Sequence, residues 1–257
     1  MGGETLYDMH CHLGWFADPA RAAQEASELG VGLLAVTVDP GEFSRLRVLL
    51  AGEKDVRVAA GLHPWWVSGA TDADALVELL PQTRWVGEIG LDAAPRHAAT
   101  YAAQLVAFER VCAACAASSD PAAPKVLSIH AVRSATDALD ALERTGAAER
   151  CRCVLHWFSG SPEELWRAVR LGCRFSLGER ALATRRGREY ARVLPDDALI
   201  TETDLPPEEG SALAVADVAA SLERTVAAIA AARHADPGLT RVLLARNANA
   251  LLGRAPR

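Results

Sequence analysis

The sequence predicts an α/β fold, a single TIM-type (β/α)8 barrel with its working groups at the C-terminal ends of the strands. Eight short β-rich runs alternate with longer helical segments along the whole chain. The 257 residues, half of them hydrophobic, match the size of one such barrel and supply a full core. Histidines and carboxylates gather at the ends of the runs. Length alone would also admit two smaller domains, and an open or seven-stranded α/β sheet is the alternative reading of the same alternation. No linker, repeat or low-complexity stretch divides the chain, so one domain over residues 1–257 is expected.

In order, the runs are Leu6–Cys11, Val31–Val38, Val56–Leu62, Trp85–Leu91, Val126–Ile129, Cys151–Trp157, Cys173–Leu177 and Ala198–Thr203. Helix punctuation lies between them. Asp18-Pro19 reads as an N-cap followed by a first-turn proline, and Gly30 closes that helix. Tyr101–Ala117 is helical throughout. Ser161-Pro162-Glu163-Glu164 combines a first-turn proline with a capping box, and Gly172 ends the helix. Ala212–His234 and Thr240–Leu252 close the chain as one or two helices.

The formal charge of −6 argues against a protein that coats nucleic acid or an anionic membrane through bulk attraction. Ser176–Pro195 runs the other way, with Arg180, Arg185, Arg186, Arg188 and Arg192 against Glu179 and Glu189, a net +3. It reads either as a phosphate-facing loop or as a solvated helix face. No apolar stretch approaches the ~18 residues of a membrane span. Met1–Leu6 lacks the basic and apolar regions of a secretory signal, and Leu6 stands where acylation would want Ser or Thr. A cytoplasmic protein is expected, and its six cysteines (11, 112, 115, 151, 153 and 173) should be thiols. Cys112-x-x-Cys115 has no second pair or histidines to complete a zinc site, and reads as two small buried residues.

Strand by strand, the run ends carry His10 and His12, His63, Glu88 with Asp92 beyond it, His130, His156 and Asp204. Alternation along a strand lets His10 and His12 share a face while Cys11 points away. Glu202 and Asp204 keep the same parity. Singly, His63 or His97 would be read as packing, and His-x-His is a weak motif. His10, His12, Glu88, His130, His156 and Asp204 together, spread over the strand ends, are hard to explain as core, because buried polar groups need partners. A pair of metal ions supplies them, and imidazole with carboxylate suits Zn, Mn, Fe, Ni or Mg.

At these residues the sequence resembles the TatD family of metal-dependent deoxyribonucleases, within the amidohydrolase-like barrels. The matching segments are Asp8-Met9-His10-Cys11-His12-Leu13, Gly61-Leu62-His63-Pro64, Gly87-Glu88-Ile89-Gly90-Leu91-Asp92, Ser128-Ile129-His130, His156-Trp157-Phe158-Ser159-Gly160 and Thr201-Glu202-Thr203-Asp204. Gln104 and Phe108 fit the helix after the fourth strand. Within the family, Leu155–Gly178 and Thr201–Pro206 are most similar to QatD, the TatD-like subunit of Qat anti-phage defence systems. The sequence departs from the wider pattern at Gly14, where an acidic residue is common, and at Trp65, where many members have His. Arg133 also stands one place later than the family's usual arginine.

The resemblance implies two divalent ions (Mg, Mn or Zn), one held by His10, His12 and Asp204, the other by His130 and His156, with Glu88 bridging. Asp204, Glu88 and His63 would be catalytic: such ions activate a water for in-line attack on phosphorus, Asp204 handles its proton, and His63 serves a phosphate or leaving oxygen. Glu202 and Asp92 would support the ligands. His63, Arg133, Arg180, Arg185 and Trp157 are candidate substrate contacts, and Trp65, Trp66 and Trp157 either stack on an unpaired base or pack. Free N–H groups at Pro162 offer a second phosphate anchor. The implied substrate is DNA, as strand ends or short single strands, in a setting with other Qat-type subunits and no membrane. The alternatives are hydrolysis of a small amide, lactone or D-aminoacyl ester, and a metal-stabilised scaffold inside an assembly.

Overall fold

Each β-rich run forms a strand in the computed structural model: β1 Leu6–Cys11, β2 Val31–Ala35, β3 Val56–Val58, β4 Trp85–Asp92, β5 Val126–Val132, β6 Arg152–His156, β7 Arg174–Leu177 and β8 Leu199–Thr201. The structure describes residues 5–69 and 71–253, which fall into two units. The first takes in residues 5–35, 46–58 and 175–253, and the second residues 36–45, 59–69 and 71–174. The signal and acylation reading of Met1–Glu4 lies outside the described residues.

In the first unit, β1, β2 and β3 form a parallel sheet, with Leu6 beside Val31 and Leu33 beside Val56. β7 and β8 also pair in parallel, with Phe175 beside Leu199. All of β1 and β2 is buried, as expected of parallel strands covered on both faces. The helix Pro19–Glu28 starts as the sequence predicts, the Asp18 carboxylate accepting from Arg21 N at 3.0 Å. Val215–Arg233 and Pro237–Leu252 close the unit, the second capped by Asp236. Two polar side chains fasten the last helix to the strands. Tyr7 Oη donates to Asn249 Oδ1 at 2.8 Å, and Asn247 Nδ2 donates to the carbonyls of Asp196 (2.6 Å) and Leu199 (2.8 Å).

In the second unit, β4, β5 and β6 form a parallel ladder, with Trp85 beside Val126 and Leu127 beside Cys153. The helix Tyr101–Ser118 buries Gln104, Phe108, Val111, Cys112 and Cys115. All six cysteines are buried thiols. Lys125 is buried too, its ammonium donating to the carbonyls of Leu80 (2.7 Å) and Thr83 (2.6 Å).

β2 and β3 stop short of the predicted Val38 and Leu62. A register shift between Val86 and Ile89 interrupts the β4 ladder, and the chain around Thr37 and Ala60–Leu62 bonds to that irregular stretch. Thr37 N donates to Gly87 O (3.0 Å), Glu88 N to Thr37 O (2.9 Å) and Leu62 N to Glu88 O (2.9 Å). These residues are extended and hydrogen-bonded without belonging to a regular strand. Among the described residues, no helix is long and apolar enough to cross a membrane.

Replacing Asn247 by Leu removes both donors while leaving two carbonyls in a buried setting. The expected loss is about 1–3 kcal/mol of stability, read as a lower midpoint in urea at unchanged slope.

Candidate metal centre

In the first unit, three ligand-type side chains meet where β1 and β8 end. His12 Nε2 lies 3.3 Å and His10 Nε2 3.8 Å from Asp204 Oδ1. Backbone bonds set this up: Asp204 N donates to His10 O and His12 N to Leu205 O, each at 2.9 Å. Asp204 sits at φ +59°, a left-handed conformation that costs an ordinary residue about 1 kcal/mol and that Asp tolerates better than most. Cys11 faces the other way and its thiol donates to Leu205 O at 3.2 Å. His12 stacks on Trp15 at 4.2 Å between centroids, which fixes the ring plane.

Asp8 clamps the two strand ends together. Fully buried, it accepts from His10 N (3.2 Å), Thr203 N (2.9 Å) and the Thr203 hydroxyl. Burial pushes its carboxyl up to about 7, against the hydrogen bonds from Thr203 that pull it down. Glu202 lies buried beside it and accepts from Ser176 Oγ at 2.5 Å, so it faces a strand neighbour. Arg180 Nη1 stands 3.6 Å from Asp204 Oδ2.

In the second unit, three imidazoles converge on one carboxylate oxygen. Glu88 Oε1 lies 2.9 Å from His130 Nδ1, 2.9 Å from His156 Nε2 and 3.3 Å from His63 Nε2. The two nitrogens of His130 and His156 are 3.2 Å apart. Thr37 places Glu88: its hydroxyl donates to Ala59 O (2.8 Å) and accepts from Gly61 N (3.0 Å), while its carbonyl accepts from Glu88 N. Two glycines permit the close packing. A Cβ on Gly61 would collide with the Thr37 carbonyl, and one on Gly90 (φ +141°) with the His130 backbone.

Asp92 supports this cluster. Its Oδ2 accepts from Trp65 Nε1 at 2.6 Å and lies 3.6 Å from His130 Nε2; its Oδ1 accepts from Ala94 N, and its own N–H is taken by Gln104 Oε1 at 2.8 Å. Burial would raise the Asp92 pKa, but the His130 ring nearby and the bond from Trp65 outweigh it and hold the carboxyl well below the usual range. The same contest raises His130: burial disfavours its cation, and Asp92 and Glu88 more than compensate.

These donor sets fit a divalent cation. Ligands about 2.0–2.1 Å from a tetrahedral metal sit roughly 3.3 Å from one another, the spacing seen around Glu88 and between His12 and Asp204. No thiolate joins them, and the pull of Asp92 and Glu88 on His130 shows that the pocket attracts positive charge. His63 differs from its neighbours. Its Nδ1 accepts from Trp65 N at 3.1 Å, so the neutral ring carries its proton on Nε2. It therefore faces Glu88 as a donor, whereas His130 and His156 can offer lone pairs.

The remaining expected contacts are scattered. Arg133 and Trp157 follow β5 and β6 directly, at φ +55° and +42°, and Trp157 is exposed. Arg185 begins the helix Arg185–Val193. The expected phosphate anchor at Pro162 is corrected by the capping box: Ser161 Oγ accepts from Glu164 N, and the Glu164 carboxylate accepts from Ser161 N at 2.6 Å, placing negative charge where an anion would bind. Much of the basic run after β7 is also engaged. Arg192 pairs with Glu189, Arg180 stands beside Asp204, and Arg188 donates to the carbonyls of Leu182 and Ala183. Thr37 and the Trp65–Asp92 bond were not expected. Their only trace in the sequence is that Thr37 and Trp65 interrupt or follow strand-end motifs.

Residues 7–253 match the family described as TatD related DNase. A curated relative, the uncharacterized metal-dependent hydrolase YjjV of Escherichia coli (strain K12), is 29% identical over 211 residues, 77% of this chain and 78% of that protein. The crystal structure of the TatD homologue YjjV from Escherichia coli K12 superposes with a TM-score of 0.73 at 23% identity, covering 96% of this chain and 97% of the other. An uncharacterized amidohydrolase from Saccharomyces cerevisiae gives 0.74 at 16% identity (96% and 99% covered). A TatD family hydrolase from Entamoeba histolytica gives 0.72 at 14% (98% and 99%). With the match running almost end to end and ligand-type clusters at the strand ends, this chain belongs to the TatD related DNase family of metal-dependent hydrolases and has its amidohydrolase-type TIM-barrel fold.

Proposed function

We propose that this chain is a metal-dependent DNA phosphodiesterase acting on strand ends or short single strands. The observation that carries the reading is the cluster at Glu88, where two imidazoles able to ligate a cation stand beside a third held as an N–H donor. A phosphodiester asks for that combination: cationic stabilisation of its oxygens and a placed proton. When bound, divalent ions (Mg2+, Mn2+ or Zn2+) supply Lewis acidity that neutralises phosphoryl oxygens and makes a water acidic.

On the family resemblance, His10, His12 and Asp204 would hold one ion and His130 and His156 the other, with Glu88 as the shared ligand. Asp204 accepts the proton of the attacking water. His63 Nε2–H donates to a phosphoryl or leaving oxygen. Asp92 keeps His130 turned toward Glu88, and Glu202 supports β8. Arg180, beside Asp204, is placed for a phosphate oxygen, and Arg133, Arg185 and Trp157 are further substrate contacts. The anti-phage setting and its partner subunits rest on the likeness of Leu155–Gly178 and Thr201–Pro206 to QatD.

Glu88→Ala and Asp204→Asn should each lower cleavage of a labelled oligonucleotide by at least ~10³-fold while the circular dichroism spectrum is kept. Cleavage that persists in the purified double variant overturns the reading. EDTA should abolish the activity, and re-addition of Mg2+, Mn2+ or Zn2+ should restore it. His63→Gln and His130→Ala should separate: the first lowers kcat by about 10²-fold at unchanged metal content, whereas the second loses metal as measured by atomic emission.

A further inference from the structure

In the second unit, Trp65 and Trp66 form a parallel pair next to the Glu88 cluster, with centroids 6.3 Å apart and ring planes within 8°. Each is 45% exposed, unusual for residues so close to a buried polar site. Trp65 is fixed from three sides. Its indole N–H is bonded to Asp92 at 2.6 Å, His97 stacks on it at 5.2 Å, and the Arg96 guanidinium lies 4.9 Å from its centroid. Among the described residues, the ring partners of Trp66 are Trp65 and His63 alone. His63 meets both indoles edge-on, at 4.8 and 5.5 Å.

We infer that Trp66, backed by the Asp92-latched Trp65, is a stacking platform for an unpaired nucleobase of the strand being cut. The proposal deepens the phosphodiesterase reading and rests on it for the identity of the strand. A flat, open indole stacks on any base regardless of sequence, at a gain that suits a nuclease without base preference. Arg96 lies over Trp65, 3.8 Å from Asp92, and His63 Nε2 faces Glu88 between the platform and the cluster's other imidazoles, so a base on Trp66 would bring its own phosphate toward His63. The bond to Asp92 removes freedom that binding would otherwise have to quench. Asp92 also faces His130, so one carboxylate orients both the platform and a candidate ligand. Duplex DNA keeps its bases stacked inside and presents none to Trp66, so the platform would favour ends or single strands.

The test compares a fluorescently labelled oligothymidylate with the same strand carrying tetrahydrofuran abasic residues, titrated by anisotropy into EDTA-treated protein. Wild type should bind the base-bearing strand about 5- to 100-fold more tightly, the range of one base on an aromatic ring. Trp66→Ala should collapse that preference toward unity and Trp66→Phe should retain most of it. A wild type that does not discriminate, or a Trp66→Ala variant that keeps the full preference, overturns the platform. If wild type discriminates in binding but cleaves neither strand with metal restored, the phosphodiesterase reading fails and the platform stands. If it cleaves both strands at the same KM, the platform fails and that reading stands.

Discussion

A carboxylate sealed from water has to find positive charge or many donors, and Glu88 is the residue on which this requirement falls hardest. It is 2% exposed, and one of its oxygens meets three imidazole nitrogens within 3.3 Å. Histidine satisfies such a group only in part, since a neutral ring offers one proton and one lone pair. His63 gives its proton, because Trp65 N has claimed its other nitrogen. His130 and His156 stand 3.2 Å apart and can satisfy one another only in competition with Glu88. A divalent cation would resolve the conflict, taking two lone pairs and a negative charge as ligands. The irregularity of β4 and the glycines at 61 and 90 accompany the bringing of that carboxylate and its histidines to one point.

The first unit meets the same demand differently. Asp204 is only partly buried and stands at the end of a strand of three residues, too short to hold it by ladder bonds alone. Asp8 does the holding. With three hydrogen bonds across to His10 and Thr203, it fixes the strand ends that carry His10, His12 and Asp204. Its position is stabilised at a price, because burial leaves its carboxyl with a pKa near neutrality. The left-handed backbone at Asp204 adds local strain at the same place, and strain of this kind persists only where the surroundings over-determine it.

Much of this was legible before any coordinates. Period-two alternation places His10 and Cys11 on opposite sides, and the thiol does turn away to Leu205 O. Asp18, Gly30 and the Ser161–Glu164 box act where local chemistry says they should, because each depends on residues within one turn. What stayed hidden depends on partners distant in sequence. Glu179, one of the two acids in the run after β7, pairs with Arg224 at a separation of 45 residues, a partner the local sequence does not show. Thr37 carries no ligand of its own, and only the register shift in β4 reveals that it positions Glu88. Trp65 looked like a loss of the family's histidine. The indole N–H instead bonds Asp92, the carboxylate beside His130.

The surface charge leads to the same kind of local answer. Arginine is the dominant cation, and among the described residues several of its side chains are committed: Arg110 to Asp74, Arg144 to Glu109, Arg167 to Asp140 and Glu143, Arg233 to Asp196 and Arg241 to Glu223. Such exposed pairs contribute little stability, typically under ~1 kcal/mol each, but they cancel the long-range field that would draw a polyanion from solution. A chain at −6 with its arginines so paired is poorly suited to accumulating DNA by counterion release. On the proposed reading, binding would come from a few short-range groups within each unit: a cation with Arg180 beside Asp204 in the first, and a cation with the His63 proton and a base on the tryptophans in the second. Such short-range recognition would favour strands that can bend and unstack over the stiff, fully paired duplex.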